Sequence, residues 1–225
     1  MFESKYNRLL TVILVVVIVA IIGLLGFLAF NYFQESNSTK EAADFVDGYQ
    51  GDDIVDQPEN VSKDAEEDDS NPLEQIEQTG ASQSTAPNRK KQVYQGFTVA
   101  GTMKIPKINF SYPVLEKVTP SSIEKAVAVL YGAGLNQVGN TVIIGHNYRN
   151  GRFFSNNKRL VNGDKIYITD YEGNQKTYVI YNKFETTPED TSFYQRDTNG
   201  KAEVTLSTCT DDSSARLIIF AREQE

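Results

Sequence analysis
The sequence predicts a mainly β domain, a closed or nearly closed barrel with one or two short helices, preceded by a single transmembrane helix. Three observations carry this. An uncharged apolar run occupies residues 9–30, a polar acidic stretch follows over residues 31–92, and residues 93–225 hold many short alternating or apolar segments separated by turn signals. The chain therefore divides into a short N-terminus (1–8), an anchor (9–30), a tether (31–92) and one domain of ordinary size (93–225).

Leu9 to Phe30 is 22 residues without a charge, interrupted only by Thr11, Gly23 and Gly26. As a helix it spans about 33 Å, enough for the hydrocarbon core of a bilayer. A cleaved signal peptide has a shorter apolar core, about 7–15 residues, and a small-x-small cleavage site that Phe27-Leu-Ala-Phe-Asn-Tyr32 does not offer. Lys5 and Arg8 precede the run, and the far side is acidic. The positive-inside rule then predicts a single-pass cell-membrane protein with a cytoplasmic N-terminus and an extracellular domain.

Charge is distributed unevenly. Between Phe33 and Asn88 stand 15 acidic residues and 2 Lys, a net −13, whereas Arg89 to Glu225 carries +4. The overall −8 argues against nucleic-acid binding, which needs a basic face. The acidic stretch is poor in large apolar residues and cannot offset its ordering entropy, so a disordered, self-repelling tether is expected. Ala42 to Val46 and Glu74 to Glu77 stay open as short helical turns docked on the domain.

Within the domain, Phe97 to Ile105, Lys165 to Thr169 and Lys176 to Phe184 alternate, and Thr141 to Ile144 is a short apolar run. Ala202 to Ser207 and Arg216 to Ala221 complete the strands, with turn signals at Asn162-Gly, Glu172-Gly-Asn and Asn199-Gly. Thr119 as N-cap and Pro120 at the first helical position predict a helix through Ser121 to Ala128.

One Cys excludes an intrachain disulfide, and one His with it excludes a zinc site of Cys and His ligands. The chemistry that remains is nucleophilic. Cys209, His146 and Arg216 each lie at the end of a predicted strand, where a barrel can bring them to one rim. Taken singly, each has a blander reading: a buried small hydrophobe, a structural imidazole, a solvated charge. Together they supply a thiol, an acid–base group and a cation for an oxyanion.

Several segments also match one family in order. They are Lys104-Ile-Pro-Lys-Ile108, Tyr112-Pro-Val114, Gly139-Asn-Thr-Val-Ile-Ile-Gly-His146-Asn, Phe153-Phe with Asn162-Gly-Asp-Lys-Ile166, Thr205-Leu-Ser-Thr-Cys209 and Arg216-Leu-Ile-Ile. On these the chain resembles the sortases, the membrane-anchored cysteine transpeptidases of Gram-positive cell surfaces, across residues 97–225 and in its anchor. The resemblance implies an eight-stranded sortase β-barrel. It implies that Cys209 attacks the Thr-Gly bond of an LPXTG-like sorting signal to form a thioester, and that a cell-wall amine such as lipid II resolves it. His146 would be the general acid and base, Arg216 would hold substrate and oxyanion in preference to Arg222, and Thr208 with Ser207 would shape the oxyanion site.

Pro188, Phe193 and Tyr194, in the loop before the Cys strand, are expected to wall the substrate pocket, unless the aromatics only close the barrel. No cofactor is expected. Glu189 and Asp190, with Glu124, are too few and too scattered to predict the calcium site of some class A members. The 63 positions between His146 and Cys209 are too few for the inserted helix of class B, and the class C lid motif and C-terminal membrane segment are not seen, so a class A, D or E enzyme is favoured. An L,D-transpeptidase would show a Ser-His-Gly-Cys-like motif in place of Ser207-Thr208-Cys209. The remaining alternative is a catalytically degenerate, membrane-tethered binding module in which Cys209 is core.

Overall fold
The computed structural model describes residues 3–49 and 91–224. Helix α1 spans Glu3–Tyr49. Nine strands follow: β1 (Val93–Tyr94), β2 (Phe97–Ile105), β3 (Phe110–Leu115), β4 (Val127–Tyr131), β5 (Gly139–Ile144), β6 (Lys165–Asp170), β7 (Gln175–Thr186), β8 (Ala202–Cys209) and β9 (Arg216–Glu223). Strands β2 to β9 close into an eight-stranded barrel in the order β2-β3-β4-β5-β8-β9-β7-β6, with β6 returning to β2. Strand β1 is a flap on β2. Two short 3-10 turns, Pro106–Ile108 and Phe154–Arg159, are the domain's helices.

The seam of the barrel is tight. Gly101 of β2 lies against β6, where a Cβ would stand 2.2 Å from the Thr169 carbonyl oxygen. Any other residue there would force the closing pair apart.

Burial explains the two kinds of strand pattern. Alternation in β2 and β6 sends Met103, Ile105, Ile166 and Ile168 into the interior. By contrast β5, β8 and β9 are covered on both faces, β8 with buried threonine and serine as well as apolar residues. Their Ile143, Leu206 and Ile219 join the interior, while Val142, Ile218 and Phe220 form a second cluster on the outer face with Phe193. The connection from β7 to β8, residues 187–201, supplies that outer cover.

Three expectations are corrected. The helix predicted over Ser121 to Ala128 is a single capped turn: Ser122 N donates to Thr119 Oγ1 (3.0 Å) and Thr119 N to Ser122 Oγ (2.8 Å). It ends because Val127 and Ala128 pair with Val114 and Leu115 of β3, so the barrel's ladder outcompetes helical propensity. Strands β3 and β4 were not expected. Pro113 conceals β3, yet it is tolerated because β3 pairs with β4 only from Val114 onward, leaving the missing N–H without a ladder partner to satisfy.

The tether is the third correction. Residues 31–49, expected as its start, continue α1, and the docked alternative at Ala42 to Val46 is the one observed. Ala42, Val46 and Tyr49 are buried on the barrel, and Phe45 meets the Tyr94 ring edge-on at 5.0 Å. The spacing 42, 45, 46, 49 is an apolar helical stripe that compensates for the acidic residues between. At the edges, Tyr112 Oη donates to Thr39 Oγ1 (3.1 Å) and Lys104 pairs with Asp47 (2.9 Å). The rest of the tether, including Glu74 to Glu77, lies outside the described residues. Upstream on the same helix, Leu10–Phe30 is long and apolar enough to cross a membrane, and none of its residues is buried within the molecule.

Placing a carboxylate in the docked stripe should release it. Val46→Asp is expected to lower the melting temperature of the full chain by several degrees, consistent with a loss of roughly 1–3 kcal/mol. It should also open the 39–49 segment to protease. Asp47→Ala, at the exposed edge, should do neither.

Candidate active site
Cys209 closes β8 and Arg216 opens β9, and the two are direct cross-strand partners. Residues 210–215 make the turn between them. Asp212 accepts from Thr210 Oγ1 (2.6 Å), Ser214 N (3.1 Å) and Ser214 Oγ (2.8 Å), while Thr210 N donates to Ala215 O (3.0 Å). Those bonds, the one from Thr210 first, lower the Asp212 carboxyl to about 2. The turn therefore keeps its anionic clasp at working pH and loses it only as pH falls through that value. Across the mouth of the turn, Arg216 Nη1 donates to Cys209 Sγ. Cys209 is half-buried, so its sulfur is held but reachable.

His146 reaches the same rim from the parallel neighbour β5. Register pairs Thr141 with Val204 and Ile144 with Ser207, and continuing it two residues past the end of β5 brings His146 level with Cys209. The backbone on both sides of the imidazole is tied to β8. Gly145 N donates to Ser207 O (3.3 Å), Thr208 Oγ1 donates to Gly145 O (2.7 Å), and Asn147 Nδ2 donates to Cys209 O (3.0 Å). Gly145 is required for space: a Cβ would meet Val127 Cγ1 at 2.7 Å and Phe154 Cδ2 at 3.0 Å.

The nine lining residues of a cavity of about 160 Å³ beside Cys209 include Asn147, Phe154, Glu185, Thr208, Asp211 and Leu217. Its rim is fixed by Lys158 Nζ, 2.6 Å from Asp211 Oδ2. Hydrogen bonds from Lys158 and then Asn147 hold the Asp211 carboxyl below its usual range.

The sequence-predicted residues are thus partly gathered. Cys209, His146 and Arg216 share one rim. Arg222 lies six residues along β9, about 20 Å away by strand rise, with its guanidinium 3.9 Å from the centre of the Tyr181 ring. Ser207 is buried in β8 on the Cys209 face, whereas Thr208 is on the opposite face and spends its hydroxyl on Gly145. Pro188, Phe193 and Tyr194 do not line the cavity at Cys209. Pro188 is exposed, Phe193 is a member of the outer core cluster, and Tyr194 stacks on Tyr131 at 5.4 Å. Of the carboxylates weighed for calcium, Asp190 accepts from Ser192 N (2.8 Å) within its own turn and Glu124 faces His146. Among the described residues no group of three or more His, Cys, Asp or Glu is placed to hold a metal ion.

Sequence reasoning missed the clamp on residues 187–201. Arg196 Nη1 lies 2.7 Å from Glu203 Oε2, and Nη2 donates to Asn140 Oδ1 (2.9 Å) and Thr205 Oγ1 (3.2 Å). Asn140 Nδ2 donates to the carbonyls of Phe193 (3.0 Å) and Tyr194 (2.9 Å), and the guanidinium sits 3.7 Å from the centre of the Phe220 ring. The available signal was Glu203, the one charged residue of its strand, which when buried needs a cation beside it.

Comparison with known proteins places the domain in a family. A family model described as the sortase domain matches residues 103–224. Sortase A from Corynebacterium diphtheriae is similar at 30% identity and a TM-score of 0.52, covering 57% of this chain and 62% of that one. A Clostridium perfringens sortase D5 transpeptidase (27% identity, TM-score 0.52) covers 56% and 79%, and sortase C-1 from Actinomyces oris (26%, 0.51) covers 56% and 71%. A search of the curated proteins gave no match.

Gly145→Ala tests whether the ties to β8 set the imidazole's place. The Cβ should push against Val127 and Phe154, cost about 1–3 kcal/mol of stability and leave the barrel folded. Displacement of His146 should slow any reaction it assists by at least about tenfold.

Proposed function
Because the chain belongs to the sortase family of cysteine transpeptidases, we propose that it cleaves an LPXTG-like sorting signal between Thr and Gly and transfers the new carboxyl end to a cell-wall amine such as lipid II. The observation that carries this is the single cysteine of the chain, half-buried at the end of β8, touching Arg216 and with its carbonyl bonded to Asn147, the neighbour of the chain's one histidine. A binding module has no need of that convergence.

In this reading the Cys209 thiolate attacks the Thr carbonyl carbon and Arg216 donates to the oxyanion. The C–N bond breaks as His146 passes a proton to the departing Gly amine, leaving a thioester. An incoming amine then attacks the thioester, its proton goes to His146, and the C–S bond breaks to release the product and restore the thiolate. No cofactor takes part. In this reading the enzyme is of class A, D or E, the His146 to Cys209 spacing weighing against class B. The segment Leu10–Phe30 would anchor the enzyme in the cell membrane of a Gram-positive cell. Lys5 and Arg8 would stay on the cytoplasmic side, and the barrel outside.

The test mixes the full chain in detergent micelles with LPXTG-like and NPQTN-like peptides and reads intact mass. A thioester adduct on one peptide class, absent in Cys209→Ala, is the expected result. Arg216→Ala should slow its formation by about 100-fold. Loss of the adduct in Arg222→Ala but not in Arg216→Ala would reverse the assignment of the cation. An inert Cys209 that resists both peptides and iodoacetamide would leave only the binding module.

A further inference from the structure
His146 carries a partner that the reaction scheme above does not use. Its Nε2 is shut off from solvent and lies 3.1 Å from Glu124 Oε1, near enough to interact but out of line for a hydrogen bond. Glu124 does not reach this place by chance of a free side chain. It stands on the capped turn 119–126, which Ser122, wholly buried, pins by donating from Oγ to Lys117 O (2.9 Å). The other carboxylate oxygen, Oε2, accepts from Tyr148 Oη, and the Tyr148 ring is 5.0 Å from the imidazole, tilted by 38°. The Arg152 guanidinium lies 5.5 Å from the Tyr148 ring centre. Burial first, then the bond to Glu124, pushes the Tyr148 hydroxyl up to about 12, so it remains a donor to the carboxylate throughout the working range.

We propose that Glu124 is a positioning residue that, oriented by Tyr148, fixes the proton of His146 on Nε2 and so makes Nδ1 the nitrogen that exchanges protons during transpeptidation. An ionised carboxylate can only accept, so the buried nitrogen facing it must carry hydrogen; a bare lone pair there would meet a negative oxygen. The neutral ring is then the Nε2–H tautomer, and Nδ1 is free to take a proton from the incoming amine and to return one to the leaving amine. Glu124 itself neither gains nor loses a proton in either half-reaction. Catalytic hydrogen bonds are often loose before substrate binds, and a small rotation of the imidazole brings Nε2–H into line with Oε1. The inference rests on the transpeptidase reading for its kinetic part alone.

The chain's one histidine makes the test direct, because its two ring nitrogens give the only imidazole signals. Full chain labelled with 15N-histidine, in detergent micelles, should show Nε2–H in the neutral form. Glu124→Gln should weaken that preference and lower kcat about tenfold while KM for the sorting peptide stays within about twofold. Tyr148→Phe, which keeps the carboxylate but frees it, should move both readouts the same way by less. A wild-type ring in the Nδ1–H form, or Glu124→Gln with unchanged nitrogens and kcat, overturns the proposal. The tautomer is read without substrate, so it decides for or against Glu124 even where no peptide acylates Cys209.

Discussion
Everything at the site depends on the register in which β8 sits between β5 and β9. Parallel pairing with β5 sets Ser207 opposite Ile144, and antiparallel pairing with β9 sets Cys209 opposite Arg216. A slip of one residue on either side would turn a functional side chain to the other face of the sheet. Slippage is opposed from both faces. Leu206 and Ile219 are locked in the barrel interior, while Ile218 and Phe220 are locked under residues 187–201. The Arg196, Glu203 and Asn140 network then holds that cover down, through the main-chain carbonyls of Phe193 and Tyr194 and through the loop's own Arg196 side chain. The apolar covering drives the assembly, and the ion pair constrains it, because either charge without the other would be stranded in a poorly solvated place.

The docking of α1 changes how the domain relates to its apolar N-terminal segment. From Phe30 to Thr39 the helix rises about 14 Å, and by Thr39 it is already bonded to Tyr112. A helix fixed in this way sets height and orientation more narrowly than a flexible chain of the same length. Phe45 meets Tyr94. The chain therefore leaves α1 at Tyr49 and re-enters the fold at β1 close to the same place.

Much of this was legible in the sequence, for identifiable reasons. Strands with strong alternation or a doubly apolar run declared themselves, and so did Cys209, His146 and Arg216, whose motifs are contiguous. What escaped reading depended on tertiary partners. Strand β3 is hidden by Pro113, harmless only because of where β4 begins to pair. The helix expected after Thr119 has a good cap and a good first turn, yet β3 claims its last residues. Acidic composition masked the apolar stripe of Ala42, Phe45, Val46 and Tyr49. Phe193 looked like a pocket wall because an aromatic in a loop can serve equally well as core. Glu124 was visible only as a scattered carboxylate, since nothing in spacing says that a turn 22 residues upstream will face His146.

The most direct test of the central claim, that the β5–β8–β9 register aligns nucleophile, imidazole and guanidinium for one substrate, is a crystal structure of the protein with Cys209 joined covalently to a sorting-signal mimic. The account predicts the peptide carbonyl oxygen within hydrogen-bond reach of Arg216 and the leaving-group side next to His146. A peptide seated elsewhere, with Arg216 turned away from the carbonyl, would contradict it.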